Sequence, residues 1–102
     1  MLALLFVAAC GLLEDYETGL RTFCEAPSRC TACADLPDAE RAARATAWAG
    51  EAIGNGQARM VWEKTASFEP RRRGGVLRAA AAKENVRPCP MADLYDAVGG
   101  GQ

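Results

Sequence analysis

The sequence predicts an all-helical fold, a small bundle of four to five short helices stapled by disulfide bonds. Along most of the chain, apolar residues recur at spacings of three and four, which places them on one face of a helix. No segment alternates apolar and polar residues as a half-buried strand does. Four of the five cysteines follow residue 20 in a chain of 102 residues. That length fits a single domain with a modest core, which benefits from covalent staples.

The first helix carries an apolar face made of Leu12, Leu13, Tyr16, Leu20 and Phe23. Pro27 ends this segment, because proline cannot continue a helix from within. Ser28 is then expected to cap a short turn that carries Cys30 and Cys33. At a separation of three residues, these two cysteines face the same side of the turn.

The second and longest helix begins near Pro37, whose fixed φ suits a first helical position. Asp38 and Glu40 place negative charge in its first turn, where the helix dipole favours it. Its apolar face comprises Ala42, Ala45, Trp48, Ala49, Ala52 and Ile53. The Gly54-Asn55-Gly56 sequence is a strong signal for its end.

Three helical segments follow. The first buries Ala58, Val61, Trp62, Thr65 and Ala66 and ends near Phe68, and the second runs over 71–83 after Pro70 with a fray or kink at Gly74-Gly75. Asn85 suits a left-handed cap, and the prolines at 88 and 90 keep that part of the chain extended. The last helix buries Met91, Leu94, Tyr95 and Val98, and residues 99–102 are expected to form a disordered tail.

An uncharged apolar run occupies the N-terminus and ends in Val7-Ala8-Ala9-Cys10. Polarity returns at Glu14, so the run is too short to span a membrane, which takes roughly 20 apolar residues. This stretch resembles the lipobox of bacterial lipoproteins, in which the signal peptide is cut before a cysteine that carries lipid. The alternative is an apolar N-terminal helix that packs on the domain with Cys10 as a buried thiol.

The lipobox resemblance implies that the protein is located in the bacterial cell envelope. Residues 1–9 would be the signal peptide, Cys10 the lipidation site, and residues 10–98 a single helical domain whose N-terminal segment is lipid-anchored and faces the periplasm or exterior. The cysteine layout, the Ala/Arg-rich middle and Cys89-Pro90 also loosely resemble small uncharacterised envelope lipoproteins. That resemblance implies a location and a disulfide framework, and no chemistry.

Charge and composition narrow the function classes. The chain holds 12 Lys and Arg against 13 Asp and Glu, a formal net charge of -1, and no histidine. Without a basic surface, a nucleic-acid partner is not expected. The absence of histidine removes Ser-His-Asp and Cys-His catalysis and His-containing zinc sites. We therefore expect a protein that is not an enzyme and that needs no cofactor.

The cysteines that remain after Cys10 are Cys24, Cys30, Cys33 and Cys89. Four cysteines allow three pairings, and the sequence does not choose among them. We favour one bond from Cys24 to the turn that carries Cys30 and Cys33, and a second from that turn to Cys89. The alternative is a cytoplasmic protein in which the four thiolates hold a metal such as zinc, or in which the Cys30-Thr-Ala-Cys33 motif performs thiol-disulfide exchange.

Other candidate features have structural and functional interpretations. Glu14, Asp15 and Glu17 form an acidic cluster that is best explained as solvated charge. The Arg71-Arg72-Arg73 run is either a solvated first turn or a site for phosphate or an anionic membrane. Trp48 and Trp62 lie on apolar stripes, which favours core packing over a protein interface. The sequence therefore predicts an envelope lipoprotein that acts as a binding or structural module on the membrane, with a possible protein partner.

Overall fold

The computed structural model describes residues 14–99, and its regular secondary structure there is entirely helical, with no strand. The prediction of an all-helical, disulfide-stapled bundle is confirmed. The signal peptide predicted for residues 1–9, the lipidation predicted at Cys10 and residues 100–102 of the predicted tail lie outside the described residues. The helices are α1 (Tyr16–Cys24), α2 (Ala26–Arg29), α3 (Asp38–Ala52), α4 (Gly56–Ser67), α5 (Pro70–Lys83) and α6 (Pro90–Gly99), with a 3-10 turn (Thr31–Cys33) between α2 and α3.

Side-chain caps and prolines set the helix ends. Asp15 caps α1 by accepting a hydrogen bond from the Thr18 amide at 2.8 Å, and this hydrogen bonding lowers the pKa of Asp15. Asn55 caps α4 in the same way. Pro70 occupies the first turn of α5, where its missing N–H costs no helical bond. After α5 the chain turns at Asn85, whose φ of 58° is the left-handed conformation expected for it.

The core lies where α1 and α6 pack against the other helices. Leu20 and Phe23 of α1 are completely buried, and the Phe23 ring meets Tyr95 of α6 edge to face with centroids 6.4 Å apart. Small side chains on α3 and α5 allow each of these helices to pack closely on α6. The remaining core members are the four cysteines of the described domain and Ala26, Ala42, Ala45, Ala49, Ile53, Ala58, Leu77, Ala81, Val86, Met91, Ala92 and Leu94.

Two disulfide bonds staple the described domain, Cys24 to Cys89 and Cys30 to Cys33. The pairing corrects the one we favoured from the sequence, because no bond joins Cys24 or Cys89 to the turn. Cys24 is the last residue of α1, and the chain returns beside it just before α6, so its natural partner is Cys89. Cys30 and Cys33 flank one 3-10 turn, which brings their side chains together locally.

Several local predictions need correction. Pro27 begins a short helix, α2, rather than ending one, and this adds a sixth helix to the four or five predicted. Ser28 lies within α2 and donates to the Glu25 carbonyl, so it does not cap the cysteine turn. Helix α5 runs unbroken through Gly74-Gly75. Gly99 is the buried last residue of α6, packed on the backbone of Arg71, and does not belong to a disordered tail.

Candidate functional site

The four cysteines singled out from the sequence are buried and bonded in pairs. Cys24 and Cys33 have no exposed surface, and Cys30 and Cys89 are 3% and 7% exposed. The bonds leave no thiolate at these positions for a metal. Across residues 14–99, no group of three or more Cys, Asp or Glu side chains has the geometry of a metal site. The cysteines therefore form a framework for the domain.

The CxxC sequence lies on a 3-10 turn that follows a short helix. A thioredoxin-like redox pair instead begins a helix after a strand, with one sulfur open to its substrate. Here Cys30 borders a shallow groove beside Trp48, and Cys33 is fully buried. This placement favours a structural bond.

The acidic cluster at the start of the domain serves local structure. Glu14 accepts hydrogen bonds from the backbone amides of Gly54 and Asn55 at 2.8 and 2.9 Å. The Asn55 side chain returns a bond to the Glu14 carbonyl at 3.0 Å. Asp15 caps α1, and Glu17 pairs with Arg21 at 2.7 Å. Each carboxylate thus has a partner within the protein, whereas the sequence predicted solvated charge.

The arginine run at the start of α5 is also engaged locally. Arg73 donates to the Phe68 and Ala66 carbonyls at 2.9 and 3.0 Å, which satisfies the C-terminal end of α4. Arg72 stacks on the Phe68 ring at 5.4 Å, and Arg71 pairs with Glu69. The three guanidiniums therefore point to different partners and do not converge on a phosphate-sized space.

Both tryptophans are half-buried against the core. The Trp62 indole N–H donates to the Thr46 carbonyl at 2.8 Å, which ties α4 to α3. Arg59 lies over the Trp62 ring and donates to the Gly50 carbonyl near the end of α3. These contacts support core packing over an exposed aromatic anchor.

A concave surface lies between α2, the start of α3 and α6, and we call it the α6 groove. It encloses about 430 Å³ and is open to solvent. Apolar walls flank an Asp38–Arg41 ion pair of 2.7 Å, with Asp93 at one edge. Its apolar lining residues are Pro27, Ala34, Pro90, Leu94 and Ala97.

A second groove of about 390 Å³ lies on the other side of Asp93. Arg78 is held there by Asp93 at 2.8 Å and Asp96 at 2.9 Å. The hydrogen bond to Asp93 is the main reason that the pKa of Arg78 is raised. Val86, Pro88 and the exposed Arg87 complete this groove.

Ser28 also lines the α6 groove, and its hydroxyl donates to the Glu25 carbonyl rather than to a carboxylate of the groove. The sequence analysis did not single out Arg41, Arg78 or Asp93. Their roles depend on contacts between helices, and an isolated charge on a helix gives no signal of such a contact.

Met60 on α4 is a further residue that the sequence analysis missed. Among the described residues it is the large apolar side chain that stands exposed, at 68%. In the sequence, Met60 lies between the buried positions Ala58 and Thr65, and its neighbours Arg59 and Val61 are common in helices. The spacing of residues therefore gives no sign that the Met60 side chain is exposed.

Within residues 14–99, no helix has the length and apolar character needed to cross a membrane. Comparison of the chain with protein-family models, curated proteins and solved structures finds no match.

Proposed function

We propose that this protein is a small lipoprotein of the bacterial envelope, cleaved before Cys10 and tethered by lipid on that residue, whose helical domain is a binding or structural module. The observation that carries the proposal is the pairing of Cys24 with Cys89 and Cys30 with Cys33. Structural disulfides persist in oxidising compartments such as the periplasm and the cell surface. The two disulfides therefore support export of this protein from the cytoplasm. A lipobox-like N-terminus functions only in a protein that is exported.

The distribution of the five cysteines supports the same proposal. Four are paired within the described domain, so Cys10 is the odd cysteine of the chain. An unpaired cysteine in an exported protein calls for another role. Lipidation is the role that we propose for Cys10.

The binding role rests on the α6 groove. The other charged motifs singled out from the sequence are occupied by structural contacts, whereas this groove presents apolar walls and a fixed ion pair to solvent. A protein segment matches these features better than a nucleic acid, because the groove lacks a cluster of free cations. No observation favours the metal or redox alternative.

The intact mass of the protein from its bacterial host, measured without reduction, tests the proposed cleavage, lipidation and export. We expect a chain that begins at Cys10, is heavier by acyl groups and is lighter by the four hydrogens lost in two disulfides. Reduction should restore those hydrogens and leave the acyl groups in place. An unprocessed chain from Met1 with free thiols would contradict the proposal.

Site-specific photo-crosslinking in living cells tests the binding role. A photoreactive residue replaces Ala34 or Ala97, which both line the α6 groove, or Ala79 as a matched control on the exposed side of α5. We expect both groove positions to trap one and the same envelope protein, and Ala79 to trap none of it. Equal trapping at all three positions would contradict a role for the groove.

A further inference from the structure

The point at which the chain enters the domain is rigidly held. The carboxylate of Glu14 accepts two backbone N–H bonds from the loop between α3 and α4, and the Glu14 carbonyl accepts a third bond from the Asn55 side chain. Three bonds spread over the side chain and backbone of one residue fix its position. The loop they bind is itself fixed, since Asn55 caps α4.

Only Gly11, Leu12 and Leu13 separate Cys10 from Glu14. A fully extended chain spans at most about 3.6 Å per residue, so the four steps from Cys10 to Glu14 reach about 14 Å. By contrast, Arg41 in the α6 groove lies thirteen residues before Gly54 along α3, about 20 Å at 1.5 Å per residue. A lipid on Cys10 therefore keeps Glu14 within about 14 Å of the anchor, whereas the α6 groove lies about 20 Å further along α3.

The surface next to Glu14 suits a membrane interface. The loop between α3 and α4 and the two helix residues that border it, together residues 52–56, carry no charged side chain, and Gly54 and Gly56 are exposed there. Met60 follows one turn into α4, with 68% of its surface exposed. The nearest cation on α4, Arg59, is folded back onto the end of α3 and the Trp62 ring.

We propose that Glu14, residues 52–56 and Met60 form a membrane-facing corner, with the Met60 side chain in the lipid headgroup region. This inference rests on the proposed lipidation of Cys10. The short tether and the hydrogen-bonded Glu14 set the orientation, and the uncharged loop and Met60 provide the contact. The exposed Glu63 and Lys64 lie one turn beyond Met60 and carry opposite charges, so the contact does not depend on anionic lipid.

Methionine-methyl NMR tests the orientation, because cleavage before Cys10 leaves two methionines. Met60 is exposed and Met91 is completely buried, so Met91 serves as an internal control. The lipidated protein, with its acyl groups verified by mass, is placed in nanodiscs of neutral lipid that contain headgroup-proximal nitroxide lipids. We expect the Met60 methyl signal to lose at least three times more intensity than the Met91 signal, with the same ratio when anionic lipid is added.

Comparable intensity losses at Met60 and Met91 in an acylated protein would overturn the membrane-facing corner while leaving the proposed lipoprotein intact. A protein without acyl groups would instead overturn the proposed function, and with it this inference. The two failures are therefore distinguished by the mass.

A pair of variants tests the role of Glu14. Glu14→Ala removes the carboxylate that holds the loop, whereas Glu17→Ala, three residues away, removes only an exposed ion pair with Arg21. We expect Glu14→Ala to reduce the loss of Met60 signal at least twofold and Glu17→Ala to leave it unchanged. The Met91 chemical shift reports that each variant is folded. A Glu14→Ala protein that keeps the full effect would overturn the role of Glu14 in setting the orientation.

Discussion

At the scale of single residues, the adjacent Gly74 and Gly75 of α5 have opposite surroundings. A Cβ at Gly74 would lie 2.8 Å from the Ala92 carbonyl oxygen and would also meet the Asp96 carboxylate. At Gly75 nothing lies within 4 Å of the same position. The close packing of α5 on α6 therefore requires a glycine at one of these positions only.

Alanine at each position should change stability in opposite directions. We expect Gly74→Ala to lower the free energy of unfolding by about 1–3 kcal/mol, because the α6 backbone must move to accept the methyl group. Gly75→Ala should raise it by about 0.5–1 kcal/mol through better helix propensity. Urea unfolding of the two variants measures both values. Equal effects would show that α5 and α6 are not in contact at Gly74.

The two glycines also show what residue-level sequence reasoning misses. Their pair in a helical segment predicts a fray or kink, since each glycine costs helix stability. The structure has a continuous helix, because Gly74 gains packing against α6 that the local sequence does not contain. The relevant partner, Asp96, lies 22 residues further along the chain, and nothing in the sequence links the two.

At the scale of elements, the pattern of apolar residues predicted most helices and their ends. Helices begin or end close to the expected signals, which are Pro37, the Gly54-Asn55-Gly56 loop, Pro70 and Asn85. Contacts between elements were not predicted. From the sequence, the acidic cluster was predicted to be solvated charge and the arginine run to be a solvated first turn or an anion site. In the structure, Glu14 accepts a hydrogen bond from the loop before α4, and Arg73 donates to a carbonyl at the end of α4. Such caps come from neighbouring elements, so the spacing of residues does not reveal them.

Helices α3 and α6 are joined by a hydrogen bond of 2.6 Å between the hydroxyls of Thr46 and Tyr95. Burial raises the pKa of Tyr95, and the bond to Thr46 opposes this only in part. The folded state thus favours the protonated phenol. The stability that the protonated Tyr95 phenol contributes is fully present below the pKa of tyrosine in the unfolded chain, about 10. It is lost as the pH rises through the higher pKa that Tyr95 has in the folded protein.

We therefore expect the melting temperature to fall between pH 9 and pH 11.5 and the Tyr95→Phe variant to fall less steeply, because phenylalanine does not ionise. Tyr95→Phe should also cost about 1 kcal/mol at neutral pH through the lost hydrogen bond. Tyr16, whose pKa is also raised by burial, is only half-buried and provides the control. Tyr16→Phe should retain most of the pH dependence. A Tyr95→Phe protein with the parental slope would contradict this assignment.

At the scale of the whole molecule, the Cys24–Cys89 bond joins the two helices at the centre of the core. It spans 65 residues and encloses α2 to α5, whereas the Cys30–Cys33 bond spans three. The sequence predicted two disulfides from an even number of cysteines but not their pairing. The pairing follows from the packing of α1 beside the chain before α6, which brings the last residue of α1 next to Cys89.

The loop lengths predict unequal contributions to stability. In the chain-entropy model, closing a loop of 65 residues stabilises the fold by about 4 kcal/mol, and closing the short turn stabilises it by less than half as much. We expect the double variant Cys24→Ala/Cys89→Ala to be largely unfolded at 37 °C and Cys30→Ala/Cys33→Ala to remain folded with a lowered melting temperature. Circular dichroism during thermal unfolding distinguishes them, and removing both cysteines of a pair avoids a free thiol. If the two double variants melt alike, the long loop is not the main covalent support of the domain, and the helices of the core must supply that stability without it.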